Sequence, residues 1–526
     1  MAELPSSSLA REQNQSTANA PAPLERIGSL RRLAGGGFTW LTLSLVAGRI
    51  LGVIAQLILG RLLTDADFGI FAIVVSIAAL IRVLADGGVP QVLIQRGETE
   101  FQRLAGPAFW LTAASSLTVG LMLALAAPAL AWFYGAEELT VLLLIVAISL
   151  PLTAPGAMMR AKLRISTQFR SLALIAFAWV AIRHITSVSF AMLGLGVMSL
   201  VLPLLIAVCF DGLSAYWITR FKPWTFRPHL FEWPGIARSS LWVVCGAGCR
   251  ALTRTGDYLV LGRLVPDALL GQYYFGYLIT SQIVEMIATN LQQVAFPIMS
   301  KLAAEPERHS RAILRTIRML VLVAAPASLA LACVVRPTIE ILDTYIWQGK
   351  WSAAIPLMQI FAVAAPVRMF SEVLNAGLSS RGKFGSAAKL MLLEGVLLMA
   401  SAFLAVVIAG QNLVGIAAVI AVSQTLFSIA AGTWVLRDFS IRPLEFFSAF
   451  LPSSLVATLC GAAVIGATSL LPESASPFVL IALRLALFAA LFAVASLIAL
   501  RGEFADLKSA LPAGVARHLS LNRRRP

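Results

Sequence analysis

The chain has 526 residues, of which 59% are hydrophobic and 13% charged, and its mean hydropathy is +0.84. That balance lies far outside the soluble range and excludes a water-soluble enzyme or nucleic-acid-binding domain as the bulk of the protein. The chain reads as an all-α polytopic membrane protein, and its formal net charge of +15 must be understood from where the basic residues fall.

Residues 1–35 are polar, rich in Ser, Ala, Pro and Gln, and lack the apolar core and cleavage site of a secretory signal, so a disordered cytoplasmic arm is expected. About fourteen apolar segments follow, each able to cross about 30 Å of hydrocarbon as a helix. Six lie near 37–59, 69–92, 107–132, 139–158, 172–192 and 197–218, making a first lobe over 36–220. Six more lie near 239–261, 271–296, 319–335, 354–378, 387–409 and 413–435, making a second lobe over 221–438. Segments near 446–470 and 478–500 form an appended pair within 439–502, and a basic cytoplasmic tail, 503–526, ends Arg523, Arg524, Arg525.

The division into lobes rests on an internal repeat. Leu57 to Gly69 reads LILGRLLTDADFG and Leu259 to Gly271 reads LVLGRLVPDALLG. Leu57/Leu259, Leu59/Leu261, Gly60/Gly262, Arg61/Arg263, Leu62/Leu264, Asp65/Asp267, Ala66/Ala268 and Gly69/Gly271 are identical, where average usage predicts about one match. Each copy ends one apolar segment, passes through a short acidic loop and opens the next, as the tip of a helical hairpin does. The first copy joins helices 1 and 2 and the second joins 7 and 8. An even number of helices separates them, so the copies are parallel repeats, and a substrate is expected between the lobes.

Assigning alternate loops to opposite faces gives one face roughly 28 Lys/Arg and the other roughly four, the excess that marks cytoplasmic loops. Arg11, Arg26, Arg31 and Arg32, the 158–170 stretch MMRAKLRISTQFR and the C-terminal tail all fall on the basic face. Both termini are therefore expected inside. The spacing within 158–170 predicts a surface helix, serving as a topology anchor or a lipid-headgroup contact. External loops are short, the longest lying around Arg336 to Trp351.

The five cysteines fall inside apolar segments and the four histidines are scattered, which argues against a disulfide framework and a metal site. GxxxxGK[ST], HExxH and GxSxG are absent from the sequence, so neither ATP hydrolysis nor a known hydrolase motif is expected, and no cofactor.

A charge at bilayer depth costs about 3 kcal/mol or more, so each is a functional candidate. Arg82 with Asp86, Arg368 with Glu372, and Arg254 with Asp257 have the spacing of self-neutralising pairs, and with Glu285 they are candidate coupling or structural charges. Arg49 and Arg250 fall mid-helix at nearly equivalent places in the two repeats, and Arg183, followed by His184, is mid-helix in segment five. These three could line a cleft suited to a phosphate or pyrophosphate, because guanidinium binds phosphate oxygens bidentately. The alternative is pairing across helices with Asp257 or Glu285.

LGRLLTDADFG with IRVLADGGVPQVLIQR (81–96), MMRAKLRISTQFR, and GDYLVLGRLVPDALLGQYYFGYLI (256–279) resemble the Wzx-type polysaccharide biosynthesis proteins. These are lipid-linked oligosaccharide flippases of the multidrug/oligosaccharidyl-lipid/polysaccharide exporter superfamily. The resemblance covers roughly residues 36–440 and implies two six-helix lobes rocking between inward and outward states. It implies transport of an undecaprenyl-pyrophosphate oligosaccharide across the bacterial inner membrane, with membrane lipids and other polysaccharide-assembly proteins as partners and no nucleic acid. The related lipid II flippase adds two helices after its core and has arginines in its central cavity, which by helix match Arg49 and Arg250. Asp257 matches the Asp of the family's helix 7 motif, whereas GGVP at 87–90 departs from the family's usual Gly-Leu pattern. Two other classes stay open: a polytopic polymerase or ligase, which would carry catalytic Arg or His on a large external loop, and a drug or cation exporter of the same fold, which calls for carboxylates in the cleft.

Overall fold

The computed structural model describes residues 23–472 and 476–499. They form fifteen α-helices in sequence: α1 (Pro23–Leu62), α2 (Asp65–Asp86), α3 (Val89–Tyr134), α4 (Leu139–Ile165), α5 (Phe169–Met192), α6 (Met198–Thr219), α7 (Trp233–Leu264), α8 (Asp267–Lys301), α9 (Pro306–Leu342), α10 (Ile355–Arg368), α11 (Phe370–Ser380), α12 (Phe384–Ala409), α13 (Leu413–Arg437), α14 (Pro443–Thr468) and α15 (Pro477–Ala499). Each expected apolar segment overlaps a helix; 354–378 is divided between α10 and α11, and 69–92 between α2 and α3. By length and composition, eleven stretches among the described residues can cross a membrane, one of them (65–134) containing both α2 and α3. α7 and α8 are not among the eleven. The expected arm at 1–35 needs correction where it is described, because α1 begins at Pro23; its remainder and the 503–526 tail lie outside the described residues.

Local chemistry sets the breaks. Thr64 and Asp67 form a capping box at the start of α2: the Asp67 N–H donates to Thr64 Oγ1 (3.1 Å) and the Thr64 N–H to Asp67 Oδ2 (2.8 Å). In the second copy Pro266 takes that position. The GGVP run ends α2 earlier than the 69–92 segment implies. Gly87 and Gly88 are both left-handed (φ 57° and 66°), a conformation glycine adopts without steric cost, and Pro90 lies in the first turn of α3. The MMRAKLRI stretch is not a separate surface helix. It forms the last turns of α4, where Lys162 Nζ sits 4.6 Å from the Phe221 ring centre.

Among the first six helices, α1 packs on α5, α3 on α4, and α6 on both α4 and α5. Further along, α7 packs on α12, α9 on α10, α12 on α13, and α14 and α15 both lie against α9. Arg484 of α15 donates to the Cys333 carbonyl (2.8 Å) and to Thr468 Oγ1 (3.0 Å). The two groups of helices meet where α2 lies against α7 and α8.

That junction is made by the repeat itself. A Cβ added to Gly69 would overlap the Asp267 carbonyl, and one added to Gly271 would overlap the Asp65 carbonyl. Likewise Gly60 packs on Phe275 while Gly262 packs on Ile73, and Phe275 stands to the second copy as Ile73 does to the first. These reciprocal contacts are those of two equivalent elements related by a pseudo-two-fold axis. Glycine at 69 and 271 lets the backbones touch, the usual role of small residues between membrane helices.

Candidate functional site: an arginine cavity beside a mixed-charge cavity

One face of α8 carries Tyr274, Leu278 and Gln282 at helical spacing, and a different face carries Tyr277, Ser281 and Glu285. The first set lines a cavity of about 390 Å³ shared with α1 and α5; the second lines a cavity of about 100 Å³ shared with α7, α10, α11 and α12. The helix that follows the second copy of the repeat motif therefore separates two chambers.

Arg49 and Arg183 both line the larger cavity, together with Gln56, Trp179, His184 and Ser187. Arg183 lies over the Trp179 ring at 5.6 Å, a cation–π contact that leaves its N–H groups available for other partners. Gln282 Nε2 donates to Gln56 Oε1 (2.8 Å), tying α8 to α1 across the chamber. Gly48 and Gly52, one turn apart, give α5 room: an added Cβ would meet Val180 at 3.5 Å and His184 Nε2 at 3.3 Å. Among the described residues the lining contains two guanidinium groups and neither Asp nor Glu. In a low-dielectric setting such a chamber favours an anion.

Arg250 is not brought to Arg49 and Arg183. It forms an ion pair with Glu372 at 3.7 Å, with the Arg250 side chain 45% exposed. Its near-equivalence to Arg49 along the repeat puts it at the corresponding place of the other lobe, where α7 packs on α12 as α1 packs on α5, and so outside this chamber.

The short-range pairs expected from spacing are largely replaced by contacts between helices. Glu372 forms an ion pair with Arg250 of α7. Arg368 lies over the Tyr277 ring at 5.4 Å and within electrostatic reach of Asp257 and Glu394. Asp257, 4% exposed, accepts from the Tyr273 hydroxyl (2.8 Å) and the Tyr258 N–H (3.1 Å), a different neutralisation from the expected Arg254 pair. Asp86 is faced by Arg160 as well as Arg82, and Arg160 also pairs with Asp211. Buried charges satisfied by several partners are cheaper than isolated pairs. The smaller cavity holds Arg254 and Arg368 against Glu285, Glu372 and Glu394, so it is mixed in charge where its neighbour is basic.

On the hairpin-tip face, the stretch expected as the longest external loop folds back onto the end of α1. Trp347 Nε1 donates to the Leu57 carbonyl (2.9 Å) and Trp351 Nε1 to the Gly60 carbonyl (3.1 Å). Lys350 Nζ donates to the carbonyls of Leu63 (2.7 Å), Arg61 (3.2 Å) and Gly60 (3.3 Å). A helix end leaves carbonyls unsatisfied, and a cation there also complements the helix dipole. Burial pushes the Lys350 ammonium below the usual lysine range, opposed by the nearby carboxylates of Asp65 and Asp67. Phe275 stacks on Trp351 with ring centres 3.8 Å apart, and Phe68 packs edge-on against both, so the tip face is closed by a plug of aromatic rings. Sequence reasoning missed Gln56, Gln282 and this clasp. The one available signal was Gln56, two turns from Arg49 on the same face of α1.

A family model described as "Polysaccharide biosynthesis protein" matches residues 58–353. The chain is 24% identical over 361 residues to the teichuronic acid biosynthesis protein TuaB of Bacillus subtilis (strain 168), covering 68% of this chain and 73% of that protein. It is 21% identical over 387 residues to the lipopolysaccharide biosynthesis protein WzxC of Escherichia coli (strain K12), covering 73% and 76%. The fold is similar to that of the lipid II flippase MurJ in an inward closed conformation, with TM-score 0.69 and 12% identity over 87% of this chain and 98% of that one. It is also similar to an inward-facing multidrug resistance MATE family transporter of the MOP superfamily, with TM-score 0.59 and 16% identity over 75% and 94%. The family match covers more than half of the chain, so this multi-pass membrane protein belongs to the polysaccharide biosynthesis protein family.

Proposed function

We propose that this protein flips a polyprenyl-pyrophosphate-linked oligosaccharide from the cytoplasmic to the outer leaflet of the bacterial inner membrane by alternating access, for export of an exopolysaccharide, capsule or O-antigen. The observation that carries the reading is the chamber between α1, α5 and α8, which presents Arg49 and Arg183 without a carboxylate in its lining. Two guanidinium forks match the oxygens of a pyrophosphate, while Gln56, Gln282 and Ser187 offer the hydrogen bonds that sugar hydroxyls need. Arg250 serves in this scheme as the ion-pair partner of Glu372, between α7 and α11, and not as a phosphate ligand.

The two lobes, 36–220 and 221–438, would rock about the α2–α8 junction, whose reciprocal contacts suit a swivel between equivalent halves. Both termini lie in the cytoplasm, which puts the hairpin tips and the Lys350 clasp on the outer face. The arrangement is then one with its outer side closed. The carboxylates of the mixed cavity, Glu285, Glu372 and Glu394, with Asp257 behind them, are suited to coupling with an ion gradient or the membrane potential. A cation or drug exporter of the same fold fits less well, because the larger chamber lacks the carboxylate a cation requires.

The test is a strain lacking the chromosomal copy and complemented with Arg49→Gln or Arg183→Gln. Variants normally abundant in the membrane should accumulate lipid-linked oligosaccharide on the cytoplasmic leaflet. Full export by both variants would defeat the reading.

A further inference from the structure

A third cavity, of about 760 Å³, lies between the last turns of α8 and the first turns of α9, and none of its lining residues belongs to either chamber described above. One side carries Arg308, Arg311, Arg315 and Arg318, and the described residues of the other, including Leu291 and Ile298, are apolar. The four arginines recur at three- and four-residue intervals, which sets them along one stripe of α9. Arg308, Arg311 and Arg315 are exposed and Arg318 is half-buried. Glu305 pairs with Arg308 at 2.9 Å, and Arg311 Nε donates to the Glu307 main-chain carbonyl at 3.4 Å; along residues 305–318 the sequence sets four arginines against two acidic residues, Glu305 and Glu307. Ile298 and the neighbouring Phe296 stay 51% and 41% exposed beside this stripe.

We propose that this groove binds a resident anionic phospholipid of the adjoining leaflet, the phosphate seated on the arginine stripe and the first methylenes of a chain along the α8 wall. A topology anchor alone needs only basic residues in water. Here they border a cavity whose opposite wall is apolar, so phosphate and hydrocarbon can be satisfied together. Guanidinium suits the task because it binds phosphate oxygens through a planar fork and its stem packs along apolar surface. Charge complementarity selects an anionic over a zwitterionic headgroup, and the apolar wall selects a lipid over a free phosphate. The site lies apart from the arginine chamber, so the inference stands whether or not that chamber carries a pyrophosphate.

The experiment is native mass spectrometry of the purified full-length chain titrated with phosphatidylglycerol, phosphatidylcholine of the same chains, inorganic pyrophosphate and undecaprenyl pyrophosphate. Phosphatidylglycerol should be retained over phosphatidylcholine. Arg308→Gln/Arg311→Gln/Arg315→Gln should reduce retention on the order of a hundredfold, and Arg311→Gln alone about fivefold. The single exposed substitution guards against misfolding of the triple variant, and Lys222→Gln/Arg227→Gln, exposed in the α6–α7 connection on the same basic face, should leave retention unchanged. Equal retention of the two phospholipids, or an unaltered affinity in the single and triple variants, would overturn the proposal. So would competition by inorganic pyrophosphate as effective as that of the lipid, or preferential capture of undecaprenyl pyrophosphate at this groove, which would make it a phosphate or substrate site.

Discussion

The Lys350 ammonium donates to the Leu63 carbonyl at 2.7 Å, joining residues 287 positions apart in the chain. With the Trp347 and Trp351 indoles it caps the last turn of α1 from the far half of the molecule. If the tip face opens during transport, this clasp must break. Removing hydrogen bonds from a charged donor costs about 1.5 to 3 kcal/mol, a tenfold or larger shift in a two-state balance. Lys350→Met should therefore enrich the state with the tips apart. Spin labels at the exposed positions Leu62 and Tyr345, in a background without the native cysteines, should then gain a longer-distance component. An unchanged distance distribution would show that Lys350 holds nothing closed.

The contact between the two repeat copies makes a second prediction. A side chain at Gly271 or Gly69 must push apart backbone atoms of the opposite hairpin. Gly271→Ala and Gly69→Ala should each cost at least the 1–3 kcal/mol typical of overpacking, whereas Gly246→Ala, which meets open space on α7, should be neutral. Thermal unfolding in detergent, followed by fluorescence-detected size exclusion, distinguishes the sites. Equal melting temperatures for all three variants would contradict the reciprocal packing.

Much of this architecture was legible in the sequence. The apolar segments, the 202-residue offset between Gly60 and Gly262 and the parallel sense of the repeat follow from hydropathy and identity alone. That Gly69 meets Asp267 while Gly271 meets Asp65 was not legible, because a repeat shows that two elements are alike and not that they touch. The intramembrane charges show the same limit. Spacing along one helix proposed Arg368 with Glu372 and Arg254 with Asp257, but Glu372 pairs with Arg250 and Asp257 with Tyr273, contacts fixed by how α7, α8 and α11 pack. Arg49 and Arg183 were found because a mid-helix arginine is rare. Gln56 and Gln282 escaped notice because a neutral amide carries no charge to flag it.

The Arg250–Glu372 pair is separable from the arginine chamber. Its 3.7 Å spacing exceeds hydrogen-bond length, which points to a weak ion pair. A double-mutant cycle of Arg250→Gln and Glu372→Gln on thermal stability should return a small favourable coupling, and Arg250→Gln should keep most of its transport. Loss of transport as severe as in Arg49→Gln would return Arg250 to the substrate site.

Orientation is a further consequence of the charge distribution. A reporter fused after Arg32 or at Pro526 should signal from the cytoplasm, since both ends adjoin the basic face. An external signal from either would invert the assignment of the Lys350 clasp to the outer side.

The central claim is that Arg49 and Arg183 hold the pyrophosphate of a lipid-linked substrate within the α1–α5–α8 chamber. Its most direct measurement is transbilayer movement of a short-chain polyprenyl-pyrophosphate oligosaccharide in proteoliposomes carrying the wild type, Arg49→Gln, Arg49→Lys, Arg183→Gln or Arg183→Lys. The Gln variants should lose about 1.5 to 3 kcal/mol of binding, roughly ten- to hundredfold in apparent affinity. The Lys variants, which keep the charge and lose the fork, should fall between. Movement at wild-type affinity by well-folded Arg49→Gln and Arg183→Gln would contradict the claim.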